Sequence, residues 1–179
     1  MTGNAMDNQN IILIGMPGAG KSTVGVLLAK ALKMPFIDTD LLIQRQEDSY
    51  LQELIDTRGI DAFIQIEENI ILSLDVRNNV IATGGSVIYS ESAIEHLRAN
   101  GILVLLDTKM YQLERRLKNT QTRGIAMKGH QSLASLYNER MPLYRKYADL
   151  IIDCSKKHID TIVLEIKEKV NSFKYKKFL

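Results

Sequence analysis

Ile11-Ile12-Leu13-Ile14-Gly15-Met16-Pro17-Gly18-Ala19-Gly20-Lys21-Ser22-Thr23 is the stretch whose reading decides the fold. Its first four residues are a short, β-branched-rich run that ends at a glycine, which reads as a buried strand. Ser22 to Lys33 reads as a helix, with Val26, Leu27, Ala29, Lys30 and Leu32 supplying a packed face and its polar edge. Between them, Gly15 to Ser22 matches G-x-x-x-x-G-K-[ST]. Glycines let the backbone curl so that successive N–H groups point inward at phosphate oxygens, and the following helix adds the positive end of its dipole. Gly15, Gly18, Ala19, Gly20 and Thr23 are thus expected to build the cradle with Lys21 and Ser22. Lys21 can reach the β- and γ-phosphates, and the Ser22 hydroxyl can ligate Mg²⁺. This implies binding of a purine nucleoside triphosphate with magnesium and leaves the reaction open.

Outward from that loop, short apolar runs alternate with segments of helical period. Pro35 to Asp38, Val80 to Thr83, Ile102 to Leu106 and Leu150 to Ile152 read as four further strands. Leu41 to Arg58 holds one or two helices and is punctuated by Gly59. Phe63, Ile66, Ile70 and Leu74 give Asp61 to Val76 an apolar helical stripe. Ser90 is the expected N-cap of a helix from Glu91 to Ala99, with Gly101 as its stop. Thr108 is the expected cap of a helix running to about Lys118. Leu133 to Tyr147 is helical, with Pro142 expected to end or kink it. The last helix is expected over Ile159 to Val170, followed by a frayed, solvated tail at Lys174-Tyr175-Lys176-Lys177-Phe178-Leu179. Strands alternating with helices imply an α/β fold: a five-stranded parallel sheet with helices on both faces, in three layers.

Composition narrows the class. At 179 residues the chain is expected to be one domain, and 45% hydrophobic with 25% charged residues is ordinary for a globular protein. A net charge of +2 gives no sign of a nucleic-acid-binding surface. The single cysteine, Cys154, cannot form an internal disulfide, and His96, His130 and His158 lack metal-ligand spacing. The longest apolar runs are far short of the ~20 residues a membrane helix needs, and Met1 to Asn10 does not read as a signal peptide. The expectation is a cytoplasmic monomer acting on a small molecule, with neither nucleic acid nor membrane as partner.

Asp38-Thr39-Asp40 falls where the second strand should meet its helix. In open α/β sheets, ligands gather at the carboxyl ends of the strands. If both aspartates belong to an extended strand they share one side. One would then orient magnesium-bound water, and the other would hold or deprotonate an acceptor hydroxyl. The alternative is that Asp40 caps the helix at Leu41.

The phosphate loop, Asp38-Thr39-Asp40 and Thr83-Gly84-Gly85 occur together in an order that resembles the shikimate kinase family, from Ile11 to about Ile152. The resemblance implies a P-loop kinase domain spanning residues 1–179, similar to nucleoside monophosphate kinases. A substrate-binding helical segment would cover about residues 40–76 and a mobile lid about residues 118–131. It implies transfer of the γ-phosphoryl group of ATP, with Mg²⁺, to the 3-hydroxyl of shikimate in aromatic amino-acid biosynthesis. Lys21 and Ser22 would serve phosphates and metal, and Asp38 would orient magnesium-bound water. Asp40 would bind substrate hydroxyls and act as base, beside the Gly84-Gly85 backbone. Arg123 resembles the lid arginine that closes on the transferring phosphate, and Arg116 the arginine that packs on adenine. Arg140, in Arg140-Met141-Pro142-Leu143-Tyr144, resembles the arginine that pairs with the shikimate carboxylate.

Three positions depart from the family pattern. Gly59, Phe63 and Glu67 set the register of G-E-x-x-F-R-x-x-E, which leaves Ile64 where the family has a second carboxylate-binding arginine. Isoleucine carries neither charge nor donor, so carboxylate binding should weaken by roughly 1.5–3 kcal/mol. Arg58 and Gln65 are the nearby candidates for a substitute contact. Ser86 replaces the third glycine of Gly-Gly-Gly, placing a hydroxyl near the acceptor site, and Gly124 should loosen the lid. These departures keep three alternatives open: a kinase of another polyhydroxylated metabolite, a nucleoside monophosphate kinase, and a nucleotide-binding module that does not catalyse.

Overall fold

The computed structural model describes residues 8–118, 125–127 and 131–176. Five strands are formed: β1 (Asn10–Ile14), β2 (Phe36–Asp38), β3 (Val80–Ala82), β4 (Gly101–Asp107) and β5 (Leu150–Asp153). They pair in the order β2-β3-β1-β4-β5, every pair parallel. β1 is the centre: Ile11 faces Val80 on one side and Ile102 on the other. All residues of β1 and β4 are buried, which is why both read as unbroken apolar runs rather than alternating ones.

The helices are α1 (Lys21–Leu32), α2 (Thr39–Glu47), α3 (Leu51–Arg58), α4 (Ile60–Leu72), α5 (Glu91–Asn100), α6 (Met110–Leu117), α7 (Leu133–Tyr147) and α8 (Ile159–Lys176). They cover both faces of the sheet, as the alternation implies. The main core gathers Ile12, Leu13, Leu28, Leu103, Leu105 and Ile166, each essentially inaccessible to solvent. A smaller apolar cluster of Ile43, Leu54, Phe63 and Ile70 joins α2, α3 and α4, and Ala126 packs into it.

Local expectations met mixed outcomes. Ser90 caps α5 by accepting the Ala93 N–H at 3.0 Å. Thr108 does not cap α6, because Lys109 stands at the N-cap. Asp107 carries β4 one residue beyond the expected end at Leu106, so Thr108 is used up in leaving the strand. Pro142 does not end its helix, because α7 runs through it from Leu133 to Tyr147. Proline forfeits one i→i−4 bond, and the packing of buried Met141 and Tyr144 on either side outweighs that loss. The last helix extends six residues past Val170, so Lys174 and Tyr175 are helical rather than a frayed tail. No helix among the described residues is long and apolar enough to cross a membrane.

Gly101 opens β4 where β1 presses closest. A Cβ there would lie 2.6 Å from the Asn10 carbonyl oxygen and would also overlap the Ile12 side chain. The oxygen is backbone held in the sheet and cannot yield. Gly101→Ala should therefore cost about 1–3 kcal/mol, seen as a fall of several degrees in Tm. An unchanged melting curve would contradict this packing.

Candidate active site

β1 ends at Ile14 in the middle of the sheet, and the chain turns through Gly15 to Gly20 into α1. Gly20, the N-cap, has φ 98°, a left-handed conformation that glycine adopts without steric cost. That turn aims the first N–H groups of α1, which lack intrahelical partners, out of the carboxyl end of the sheet. Lys21 is buried, and its ammonium folds back onto the loop, donating to the Gly15 carbonyl at 2.7 Å and the Met16 carbonyl at 3.0 Å. Burial pulls its pKa down to about 8, against the opposing pull of the Asp40 charge. Arg116, at the end of α6, reaches over the same loop and donates to the Gly18 and Ala19 carbonyls at 3.0 and 3.1 Å.

Across from the loop lies the start of α2. Asp38 and Asp40 do not share a strand, as the extended reading expects. Asp38 is the last residue of β2 and the N-cap of α2, and its carboxylate accepts the Asp40 N–H at 3.1 Å. The helix begins two residues before Leu41, where the apolar pattern starts it, because buried Thr39 opens it. Both aspartates nevertheless line the same cavity as the loop. Asp38, not Asp40, performs the capping.

The turn after β3 completes the third side. Gly84 N–H donates to Thr39 Oγ1 at 3.1 Å, and the Thr83 hydroxyl donates to the Leu13 carbonyl at 3.1 Å. The Gly85 carbonyl accepts from Tyr144 at 2.6 Å. A side chain at Gly84 would overlap Glu67 and stand 2.8 Å from Asp40 Oδ1, so even alanine there would force both carboxylates to shift. Arg140 is 1% exposed, buried rather than displayed on α7. Its Nη2 donates to the Ala126 carbonyl at 2.6 Å and its Nε to Tyr89 at 3.1 Å, with the guanidinium over the Tyr89 ring.

These pieces enclose one cavity of about 400 Å³. Gly18, Gly20, Lys21, Ser22 and Thr23 line it from the loop, and Asp38 and Asp40 from α2. Gly84, Gly85 and Ser86 line it from the β3 turn, and Arg140 from α7. Gly15 and Ala19 lie in the loop behind that lining, and Arg116 sits on its outer side. Arg123 lies outside the described residues, as do most of the expected lid and His130. Phe63, rather than Ile64, lines the cavity from α4. The two candidates for a substitute contact are engaged elsewhere: Arg58 pairs with Glu47 at 2.7 Å, and Gln65 bonds Glu68 and Asn69 on the surface.

Sequence reasoning missed two kinds of residue here. Thr39 and Tyr144 hold backbone groups of the site, and nothing in their spacing signals it. Glu67 served only to set the register, yet it is 1% exposed and sits beside Asp40. Desolvation first, then the Asp40 charge, push its pKa up to about 7, while the Ser86 hydrogen bond pulls down. A carboxyl whose folded pKa lies above its unfolded value contributes stability below the unfolded pKa and loses it as pH rises through the folded one. Between about pH 4.5 and 7, Glu67 therefore makes the fold less stable with rising pH. Lys21 acts oppositely and at higher pH, from about 8 to 10.5. Glu67→Gln should flatten the fall in Tm between about pH 4.5 and 7, measured by thermal melts across that range. An identical pH dependence in both proteins would contradict the assignment.

Comparison with known proteins agrees with this geometry. The family described as shikimate kinase matches residues 17–171. A shikimate kinase from Caldanaerobacter subterraneus subsp. tengcongensis is 34% identical over 161 residues, covering 88% of this chain and 94% of the relative. One from Paracidovorax citrulli is 38% identical over 148 residues, covering 80% and 81%. Among solved structures, a shikimate kinase from Acinetobacter baumannii in complex with shikimate superposes with a TM-score of 0.84 at 30% identity, covering 92% of this chain and 93% of that one. The fold, the phosphate loop and the sequence likeness along most of the chain meet in one conclusion: this chain belongs to the shikimate kinase family.

Proposed function

We propose that this protein transfers the γ-phosphoryl group of ATP to a hydroxyl of shikimate. The observation that carries the reading is the shared cavity: a triphosphate cradle, two aspartates and a buried arginine around a space of about 400 Å³. Phosphoryl transfer asks little covalent chemistry of a protein; positioning and charge neutralisation do most of it. The loop backbone and Lys21 hold the phosphate tail. On binding, the Lys21 ammonium exchanges the Gly15 and Met16 carbonyls for phosphate oxygens. Asp40 receives the acceptor hydroxyl and takes its proton, while Arg140 pairs with the acceptor carboxylate. Arg123 supplies further positive charge as the lid closes and water is excluded. Arg116, whose guanidinium bonds the Gly18 and Ala19 carbonyls, would pack on the adenine.

The donors present suit magnesium. Ser22 offers an exposed hydroxyl and Asp38 a carboxylate on the same cavity, an oxygen-only set of the kind Mg²⁺ favours. No group of three or more His, Cys, Asp or Glu among the described residues is arranged to hold a metal alone. The ion would therefore be held jointly with the nucleotide phosphates, as Mg²⁺ commonly is. When bound, it supplies neutralisation of the phosphate charge.

Ile64 favours a second reading, a kinase of another polyhydroxylated metabolite that lacks a carboxylate. An acceptor screen with ATP and Mg²⁺ separates the two. Saturable, shikimate-dependent ADP release at metabolite-like concentration is expected; turnover of a neutral polyol with none of shikimate would replace the first reading by the second. Lys21→Met should abolish turnover with the fold intact by circular dichroism. Asp40→Asn should lower kcat about 100-fold or more, the usual range for losing a general base, with KM for ATP within about twofold; a rise in KM for ATP alone would move Asp40 to the metal site. Ile64→Arg should lower KM for shikimate about tenfold or more, as a charge-assisted contact would. An unchanged KM would count against a carboxylate resting beside α4.

A further inference from the structure

The Thr83–Ser86 turn is braced from four sides. Thr83 ties it to β1, Gly84 to Thr39 of α2, and Gly85 to Tyr144 of α7. The fourth brace is Ser86, which donates to Glu67 Oε2 on α4 at 2.5 Å in a fully buried setting. Ser86 replaces a glycine of the family pattern, so this brace is a property of the present sequence. It links the acceptor turn to the smaller apolar cluster, since Glu67 stands one helical turn from both Phe63 and Ile70 on the buried face of α4.

Glu67 has little else to hold it. Its Oε1 is buried with no hydrogen-bond partner among the described residues. The charged groups that face it are Asp40 from α2, Lys21 from α1 and Arg140 from α7, and among the described residues its side chain bonds only the Ser86 hydroxyl. Without that donor a buried carboxylate must either take a proton or turn toward another partner. Glu67 Oε1 and Asp40 Oδ1 both crowd the point where a Cβ on Gly84 would stand, at 2.1 and 2.8 Å from it. A Glu67 side chain released from Ser86 would therefore move against the Gly84 backbone or the Asp40 carboxylate.

We propose that Ser86 is a positioning residue for the acceptor, acting through Glu67 to hold the Gly84–Gly85 turn and Asp40 in register. The proposal rests on the acceptor-site reading above. Ser86 makes no hydrogen bond to residues 15–22 among the described residues, so the nucleotide side should be spared.

The test is steady-state kinetics on whichever acceptor the native chain phosphorylates, so a wrong acceptor identity is found by the native chain alone. Ser86→Ala should raise KM for the acceptor about tenfold, the loss of roughly one buried hydrogen bond to a charged group, with KM for ATP within about twofold. Ser86→Thr, which keeps the hydroxyl, should recover most of the loss. Ser86→Ala made in the Glu67→Gln background should change KM for the acceptor less than about twofold, because the charge it serves is gone. That pair of proteins also decides the matter if Ser86→Ala alone fails to fold. Equal rises in both KM values, no benefit from Ser86→Thr, or a full tenfold effect in the Glu67→Gln background would each overturn the proposal.

Discussion

A polyphosphate brings several negative charges to one spot, and the fold meets them chiefly with backbone. That requires the first turn of a helix to be presented at the carboxyl end of a strand that cannot move. β1 satisfies the requirement by being hydrogen-bonded on both edges and buried along its whole length. It is also the strand at which the chain's order reverses: β2 and β3 lie to one side, β4 and β5 to the other. Connections from β1 and β3 leave in different directions there, opening the crevice in which ligands of such sheets bind. The cavity is a consequence of strand order before it is a matter of side chains.

Around that crevice the protein places charges it would otherwise avoid burying. Lys21, Glu67 and Arg140 are all nearly inaccessible, with Asp40 among them. Buried charges are tolerable only when paired or hydrogen-bonded. Lys21 uses loop carbonyls and Arg140 uses Ala126 and Tyr89. Each cation thereby sits on bonds that phosphate or carboxylate oxygens can replace. The loop is preorganised for an anion without collapsing in its absence. The Arg140–Ala126 bond also joins the acceptor site to the segment leading from the expected lid, so the two sides of the reaction share a residue.

Much of this was legible in the residues. The five strands are short apolar runs bounded by glycine or polar residues, and burial on both faces makes the runs of β1, β3 and β4 unmistakable. The phosphate loop is a local motif whose geometry depends on glycine and lysine at fixed spacing. What resisted reading depends on contacts between distant segments. The start of α2 is set by Thr39, whose hydroxyl is claimed by Gly84, 45 residues away. Thr108 has the chemistry of a cap but follows a strand that runs one residue longer than its apolar pattern. Pro142 carries a local signal against helix that the packing of Met141 and Tyr144 overrides. The Ser86–Glu67 bond spans 19 residues and pairs two types that, separately, read as a turn residue and a helix residue.

The central claim is that one cavity holds a triphosphate on the loop and an alcohol on the aspartates opposite. A crystal structure with ADP, Mg²⁺ and shikimate examines it directly. The β-phosphate is expected within hydrogen-bond distance of the Gly18–Ser22 backbone and Lys21, with a shikimate hydroxyl on Asp40 and its carboxylate toward Arg140. Nucleotide lying elsewhere, or an acceptor seated away from Asp40, would contradict it.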